Sequence, residues 1–328
     1  MKPQHFAAGL AALFSLAACA ENPVAPASDA SNSVISQSFT RQAARSYTFA
    51  RFDVDIAGTR YPTIPSGINA SGVIVGWYFQ GTGCPNATTC IVRGFIFKDG
   101  AFTTVVYRDA LTGIDAQYTF LRGIGPSGEM VGSYRMTGEL AVNGHGFRLT
   151  TAGEFVRVDY PGHTNSIAQR ILPDGTIIGC YHDTDMMSTM HGTVIDKNGP
   201  SALDMPTTMN NGATPSGHRI TGFFTDAVRT RAYVLEGGVF TPFDAPSSVA
   251  TQGWDMNPSG TIVGLFQDNS SGATHGYVLE RGEFTTIDYP NSPYTDVFGI
   301  NASGDIVGKF KDATGTNHGY IATRKGGE

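Results

Sequence analysis

The stretch GINASGDIVGKF, residues 299–310, decides the fold, because variants of it recur six times along the chain. Each copy has a turn glycine followed by a short apolar run. These glycines are Gly72, Gly128, Gly175, Gly217, Gly260 and Gly304. Their spacings are 56, 47, 42, 43 and 44 residues. A period of this length indicates a repeat architecture in which each copy is one supersecondary unit.

The residues after each turn alternate with a period of two. A large apolar residue, a glycine and an aromatic residue recur two positions apart, as in Ile306, Gly308 and Phe310. Residues at this spacing face one side of a β-sheet. The glycine leaves a notch on that side, which either an adjacent sheet or an aromatic residue of the neighbouring strand would fill.

Each repeat contains four candidate strands. In the fifth repeat they are residues 250–257, 261–267, 276–280 and 283–289, and short turns join the first two and the last two. Short turns between successive strands favour an antiparallel meander. Six such sheets arranged radially form a β-propeller. The sequence therefore predicts an all-β chain with six four-stranded antiparallel blades.

The last repeat predicts how the ring closes. It ends after its third strand, whereas residues 49–54 (FARFDV) match the fourth-strand residues 284–289 (FTTIDY). We therefore expect the N-terminal strand to complete the last blade. An open array or β-solenoid is the alternative, and it would need polar capping repeats.

The N-terminus has the pattern of an export signal. Lys2 precedes a short apolar run that ends in Leu-Ala-Ala-Cys19, which resembles a bacterial lipobox. The resemblance implies a lipoprotein signal peptide at 1–18, a lipid on Cys19 and, with Ala20 next, an outer-membrane location. An ordinary signal peptide is the alternative. Residues 19–46 are predicted to be a tether, and 47–328 to be the propeller domain.

Composition limits the partners. The formal net charge is −6, charged residues are 15% and no basic patch is present, so no nucleic acid is expected. Cys84 and Cys90 flank a short loop and predict a disulfide in an exported protein. Cys180 is predicted to be a buried thiol.

The repeat resembles the bacterial extracellular HAF family. The matching residues are His145-Gly146-Phe147, His191-Gly192-Thr193, His275-Gly276-Tyr277 and His318-Gly319-Tyr320. The first and fourth repeats depart from it, with Arg93 and Arg231 in place of the histidine. The family is known as a repeat, so the resemblance implies fold and export and no particular chemistry.

Histidines and acids that recur in separate blades indicate structural hydrogen bonds between strands. Acids end the second strand at Asp183, Asp268 and Asp312, and other acids recur at the end of the fourth strand. The third repeat is the least regular, because its loop contains His182, Asp183, Asp185 and His191 together with three methionines. A divalent cation, copper or an ordinary polar loop would fit this composition. No catalytic residue, metal or cofactor is assigned.

The topology places the longer loops and the links between repeats on one face of the ring. Loops carried by a rigid scaffold are the usual place for recognition. The candidate binding residues are Tyr107, Tyr160, His163, His182, Asp183, Asp185 and Tyr294. The preferred function is a non-catalytic module that binds a protein or a glycan. The alternative is a polysaccharide hydrolase or lyase, which would need carboxylates that converge at the channel.

Overall fold

The computed structural model describes residues 47–81, 84, 89–140, 143–163, 165–183, 189–203, 205 and 207–325. The predicted signal peptide, Cys19 and the tether lie outside these residues. All regular elements in the described ranges are β-strands. Within those ranges no helix has the length and hydrophobicity needed to span a membrane.

The strands begin with β1 (Tyr47–Phe52) and a short hairpin of β2 (Val54–Ile56) and β3 (Thr59–Tyr61). Blade 1 contains β4 (Thr63–Ile68), β5 (Ile74–Gln80), β6 (Ile91–Lys98) and β7 (Ala101–Val105). Blade 2 contains β8 (Tyr118–Ile124), β9 (Met130–Arg135), β10 (His145–Leu149) and β11 (Phe155–Arg157). Blade 3 contains β12 (Asn165–Ile171), β13 (Ile177–His182), β14 (Met190–Asp196) and β15 (Gly199–Ala202). Blade 4 contains β16 (Thr208–Ala213), β17 (Arg219–Thr225), β18 (Thr230–Glu236) and β19 (Val239–Phe243). Blade 5 contains β20 (Ser248–Met256), β21 (Ile262–Asp268), β22 (Thr274–Glu280) and β23 (Glu283–Ile287). Blade 6 contains β24 (Thr295–Ile300), β25 (Ile306–Lys311), β26 (Asn317–Arg324) and, from the N-terminus, β1.

The blades close into a six-membered ring. Blades 3 to 6 are separate four-stranded sheets, and blades 1 and 2 are joined into one eight-stranded sheet by a single parallel bridge between Val92 and Tyr118. The first strand of every blade contacts the first strands of both neighbouring blades. The hydrophobic core is distributed between blades, as where Val263 of blade 5 packs with Val297 of blade 6.

The N-terminal strand closes the ring as predicted. β1 pairs antiparallel with β26, and Phe49 lies opposite Ala322 while Phe52 lies opposite Gly319. In blade 5 the fourth strand has the same register, with Ile287 opposite Gly276. The segment that the sequence matched to a fourth strand therefore occupies the fourth-strand position.

In five of the six blades the notch glycine is covered by an aromatic residue from the third strand of the same blade, whereas in blade 3 Gly179 lies opposite Thr193. A Cβ added to Gly264 would come within 2.8 Å of the Tyr277 ring and would meet the carbonyl oxygen of Gln252. The Tyr277 hydroxyl donates to that same carbonyl at 3.1 Å. Of the two ways to fill the notch, the structure uses the neighbouring strand.

A hydroxyl near the start of each first strand fixes the link from the preceding segment. In blade 6, Thr295 Oγ1 accepts the main-chain N–H of Tyr289 at 3.0 Å. The corresponding acceptors in the other blades are Thr63, Thr119, Ser166, Thr208 and Thr251. Since a buried backbone N–H needs a partner, this repeated bond fixes how one blade leads into the next.

Candidate functional site

The repeated histidines join the third and fourth strands. His145 Nδ1 lies 3.0 Å from Asp159, and His275 Nδ1 lies 2.8 Å from Asp288. His318 makes the same contact, at 3.0 Å, with Asp53 just beyond β1. The hydrogen bond to Asp159 raises the pKa of His145, although burial opposes the shift. Where arginine replaces the histidine in blade 4, Arg231 pairs with Asp244 at 2.8 Å. The position therefore has a structural role.

The acids that end the second strand behave less uniformly. Asp312 lies 3.1 Å from His318 Nε2, and Asp183 lies 3.4 Å from His191 Nε2. Asp268 instead accepts hydrogen bonds from Ser270 and Ser271 in its own loop. It therefore supports its loop.

The irregular third blade brings several predicted residues together. Asp183 lies between His163 Nδ1, at 3.2 Å, and His191 Nε2. The Tyr181 ring contacts both histidines, and His182 is buried with its Nε2 3.9 Å from Cys180 Sγ. Asp185 lies outside the described residues. Across the described part of the chain, no three His, Cys, Asp or Glu side chains are placed to hold a metal ion.

Tyr107 and Tyr160 pack within the blades. Tyr107 is 7% exposed and stacks on Tyr134 with ring centroids 3.5 Å apart. Tyr160 stacks on Tyr181 at 3.7 Å, and Tyr289 stacks on Phe310 in the same way at 3.5 Å. Tyr160 and Tyr289 both follow a fourth-strand aspartate, so the repeat itself contained the signal that these rings are equivalent.

Cys84 and Cys90 form a disulfide with their Cα atoms 5.2 Å apart. It spans part of the loop between β5 and β6. Cys180 is fully buried, and burial raises the pKa of its thiol to about 12. A thiol with so high a pKa is unreactive at neutral pH.

The centre of the ring contains an ion pair that sequence reasoning missed. After the β-bulge of the first strand, four blades have a glycine, at Gly67, Gly123, Gly212 and Gly299. Blades 3 and 5 have Arg170 and Asp255 at this position. Arg170 Nε lies 3.2 Å from Asp255 Oδ1, and both side chains are nearly buried. The two departures from glycine could have been found in the repeat alignment, but only the fold shows that they meet.

Arg170 closes the channel with its whole guanidinium group. Its Nη1 donates to the carbonyl oxygens of Arg122 and Gln169, both at 2.8 Å. Its Nη2 donates to those of Ser66, at 3.0 Å, and Phe298, at 2.6 Å. Together with Asp255, these partners come from five of the six blades. The five N–H groups of the side chain are all used.

Beyond this pair the channel opens as a cup of about 130 Å³ on the face formed by the short turns. All six blades contribute to its lining. Its rim consists of the residue that precedes Ser-Gly or Asp-Gly in each first turn: Ala70, Pro126, Pro173, Pro215, Pro258 and Ala302.

The opposite end of the channel, on the long-loop face, combines cations with aromatic rings. In blade 2 the Arg135 guanidinium lies 4.1 Å from the centroid of Tyr118. In blade 6 the Lys311 ammonium lies 4.3 Å from that of Tyr294. Arg135 is paired with Tyr118, and the Lys311 N–H bonds to the Tyr294 carbonyl, so the two pairs occupy equivalent positions of the repeat. They flank blade 1, which contains the disulfide loop.

Further groups surround these pairs. Lys309 Nζ lies 2.8 Å from the buried Asp296 carboxylate and 4.5 Å from the Tyr294 centroid. Burial opposes a charge on Lys309, but Asp296 raises its pKa. Burial also raises the pKa of Tyr294 to about 12. In blade 1, Trp77 lies 5.4 Å from the Arg122 guanidinium, and its buried Nε1 has no hydrogen-bond partner in the described residues.

Comparison with known proteins assigns no family and no function to the chain. No protein-family model and no curated protein matches the chain. Among solved structures, a gluconolactonase from Xanthomonas campestris is 11% identical, with 87% of this chain and 99% of that chain covered and a TM-score of 0.47. TolB from Acinetobacter baumannii is 13% identical, with coverage of 82% and 56% and a TM-score of 0.45. The acylaminoacyl peptidase of Pyrococcus horikoshii is 11% identical, with coverage of 79% and 51% and a TM-score of 0.44. The chain therefore spans about half the length of the last two.

Proposed function

We propose that this chain is a non-catalytic binding module of the bacterial cell envelope, and that it binds an acidic glycan at the long-loop end of its channel. The observation that carries the proposal is the repeated cation–aromatic pair, Arg135 with Tyr118 and Lys311 with Tyr294. The pairs flank one blade, and all four side chains are partly exposed. Two cationic side chains therefore lie at this end, although the chain has a formal net charge of −6.

The chemistry of these groups suits an acidic sugar. Aromatic side chains offer rigid apolar faces with a polar edge, and arginine and lysine form charge-assisted hydrogen bonds with carboxylate or sulfate oxygens. Asp296 does not cancel this charge, because Lys309 already pairs with it. Trp77 Nε1 and Asp296 Oδ1 are buried and unpartnered within the described residues. Ordered water or a ligand is the usual partner of such atoms.

The recurring acids and histidines support binding over catalysis. Glycoside hydrolysis needs two carboxyl groups about 5–10 Å apart on either side of the scissile bond. Here the fourth-strand acids hold histidine or arginine from the third strand, as Asp288 holds His275. The fourth-strand acids are thus used to join strands.

The proposal also includes export of the chain, a lipid on Cys19 and a repeat of the HAF type. The Tyr47 hydroxyl lies 3.4 Å from the carbonyl of Gly304 in a first turn of blade 6, so the chain enters the propeller on the short-turn face. A tether that joins there is attached at the end of the ring opposite the long loops. This attachment leaves the long loops free to recognise a partner.

Affinity measurements test the proposed site. The full-length chain with Cys19→Ala, which removes the lipidation site, is titrated with acidic polysaccharides and with neutral ones of similar length. We expect the acidic chains to bind more tightly and the binding to weaken with salt. The double variant Arg135→Gln/Lys311→Gln should lose about tenfold or more in affinity, as expected for charge-assisted hydrogen bonds.

The matched control is Lys98→Gln/Arg281→Gln, which removes two cations beside third-to-fourth-strand turns on the other face. It should bind as the parent does. An equal loss of affinity in both variants would show that net charge alone causes the effect, and it would contradict the proposed site. Preference for neutral polysaccharides would contradict the ligand class.

A further inference from the structure

The cup on the short-turn face is separate from the long-loop end of the channel, since Arg170 and Asp255 close the channel between them. Its wall is mostly apolar and includes Ile68, Ile124, Ile171, Ile300 and Met256, with Asn69, Asn257 and Asn301 also in the lining. Its volume of about 130 Å³ is close to the ~150 Å³ of an apolar cavity that accepts benzene. A group of about five or six non-hydrogen atoms fits this space.

The floor of the cup offers a hydrogen-bond acceptor and no donor from the ion pair. Arg170 uses all five of its N–H groups on Asp255 and on main-chain carbonyls. Asp255 Oδ1 accepts from Arg170 and from the Met256 N–H, at 2.9 Å. Its Oδ2 accepts only the Ile300 N–H, at 3.1 Å, among the bonds described. A carboxylate oxygen has room for a second donor, so Oδ2 retains accepting capacity.

The charges at the floor of the cup favour a cationic ligand. Burial raises the pKa of the Asp255 carboxyl while Arg170 opposes the shift, so a second cation near Oδ2 would stabilise the charged form. An anion at the floor of the cup would meet a carboxylate and a guanidinium without free donors, so neither member of the ion pair would compensate for the desolvation of its charge. The net charge of −6 also favours the approach of cations.

We propose that the cup is a binding site for a compact aliphatic amine, whose alkyl part contacts the isoleucine wall and whose ammonium donates to Asp255 Oδ2. The site stands independently of the acidic-glycan site, because the two lie at opposite ends of a closed channel and use different residues. One can fail without the other.

The test uses n-pentylammonium chloride as the probe, with sodium pentanoate of matched chain length as its anionic counterpart. Binding to the full-length Cys19→Ala chain is measured by isothermal titration. The amine should bind about tenfold or more tightly than the carboxylate, the discrimination expected of one hydrogen bond to a charged group. Equal binding of the two, or no binding of the amine in the millimolar range, overturns the proposal.

A rim variant locates the site without disturbing the ion pair. Ala302 is exposed and lines the cup, whereas its neighbour Ser303 is exposed and does not. Ala302→Trp should cover the cup and lower amine affinity about tenfold, while Ser303→Trp should leave it unchanged. If both variants bind the amine as the parent does, the site lies elsewhere and the proposal is wrong.

Discussion

At the scale of single residues, one position of the repeat lies at the centre of the ring. It is a glycine in four blades, and in the other two it is a member of the Arg170–Asp255 ion pair. A Cβ at Gly212 would lie 2.5 Å from the Cα of Asp255, so the first strands approach too closely for a side chain there. Arg170 and Asp255 take the space that the four glycines leave. Main-chain carbonyls at the inner edge of a first strand have no neighbouring strand within their blade. Arg170 donates to four of them at 3.0 Å or less and to a fifth, that of Trp254, at 3.5 Å.

Replacing Arg170 is expected to destabilise the whole propeller. Arg170→Met leaves Asp255 buried without its cation and several carbonyls without a donor, which should lower the free energy of unfolding by about 3–5 kcal/mol. Urea denaturation measures the change. In a double-mutant cycle, adding Asp255→Asn to Arg170→Met should cost less than Asp255→Asn alone. A loss below about 0.5 kcal/mol for Arg170→Met would show that the pair does not hold the channel together.

His145 provides a pH-dependent test of the repeated pair. Because the hydrogen bond to Asp159 raises the pKa of His145 above 6.5, the protonated form is favoured in the fold. Its stabilising contribution is therefore complete below about pH 6.5 and is lost as the pH rises through the raised pKa. The difference in unfolding free energy between parent and His145→Gln should be larger at about pH 5.5 than at about pH 8.5. His218→Gln, at an exposed position, is the control, and a pH-independent His145 effect would contradict the pairing.

Many contacts between residues of one repeat could be predicted from the periodicity of the sequence, but contacts between blades could not. The bonds of His191 and His318 to the second-strand acids follow from positions within one repeat. The prediction that Asp268 bonds its histidine was wrong, because Asp268 accepts from the serines of its own loop and His275 pairs with Asp288. Arg170 and Asp255 are 85 residues apart in blades that are not adjacent, and only ring closure brings them together.

At the scale of the strands, β1 packs against blade 6, because the last repeat supplies only three strands of that blade. Phe49 packs into the cluster around Tyr320, and Phe52 packs against Phe97 of blade 1 with ring centroids 5.1 Å apart. Asp53 supplies the acid for His318. One strand from the N-terminus thus joins the first and last blades.

Removing that strand should open the ring. Deletion of residues 1–53 loses the strand pairing and the partial burial of two phenylalanines, for which full burial would contribute roughly 1.5–3 kcal/mol each. We expect the thermal unfolding midpoint to fall by about 10 °C or more relative to deletion of residues 1–46. Differential scanning calorimetry on both truncations measures this. Equal midpoints would show that β1 does not contribute to closure.

The strand scale was the most predictable from the sequence, since turn glycines and the period of two mark each strand. In blade 5 the predicted second strand, 261–267, is β21 at Ile262–Asp268. The pairing register of adjacent strands was harder to predict from the sequence. The bulge in the first strand shifts one residue against its partner, as between Gly253 and Asp255, and no feature of a single repeat indicates it.

At the scale of the whole molecule, the ring has two unlike ends separated by Arg170. One is a small, mostly apolar cup among prolines and alanines, and the other has cations on aromatic rings. The sequence predicted that ligands meet the long-loop face near the channel, which stays a prediction. It did not predict the cup, because the cup depends on all six turns meeting around one axis.

The proposed function requires that this propeller bind a polysaccharide without cleaving it. The most direct measurement incubates the full-length chain with each acidic polysaccharide that it retains and then counts new reducing ends and new unsaturated ends. We expect retention of the polysaccharide with no increase in either kind of end. New reducing ends would reveal a hydrolase and new unsaturated ends a lyase, and either result would contradict the claim.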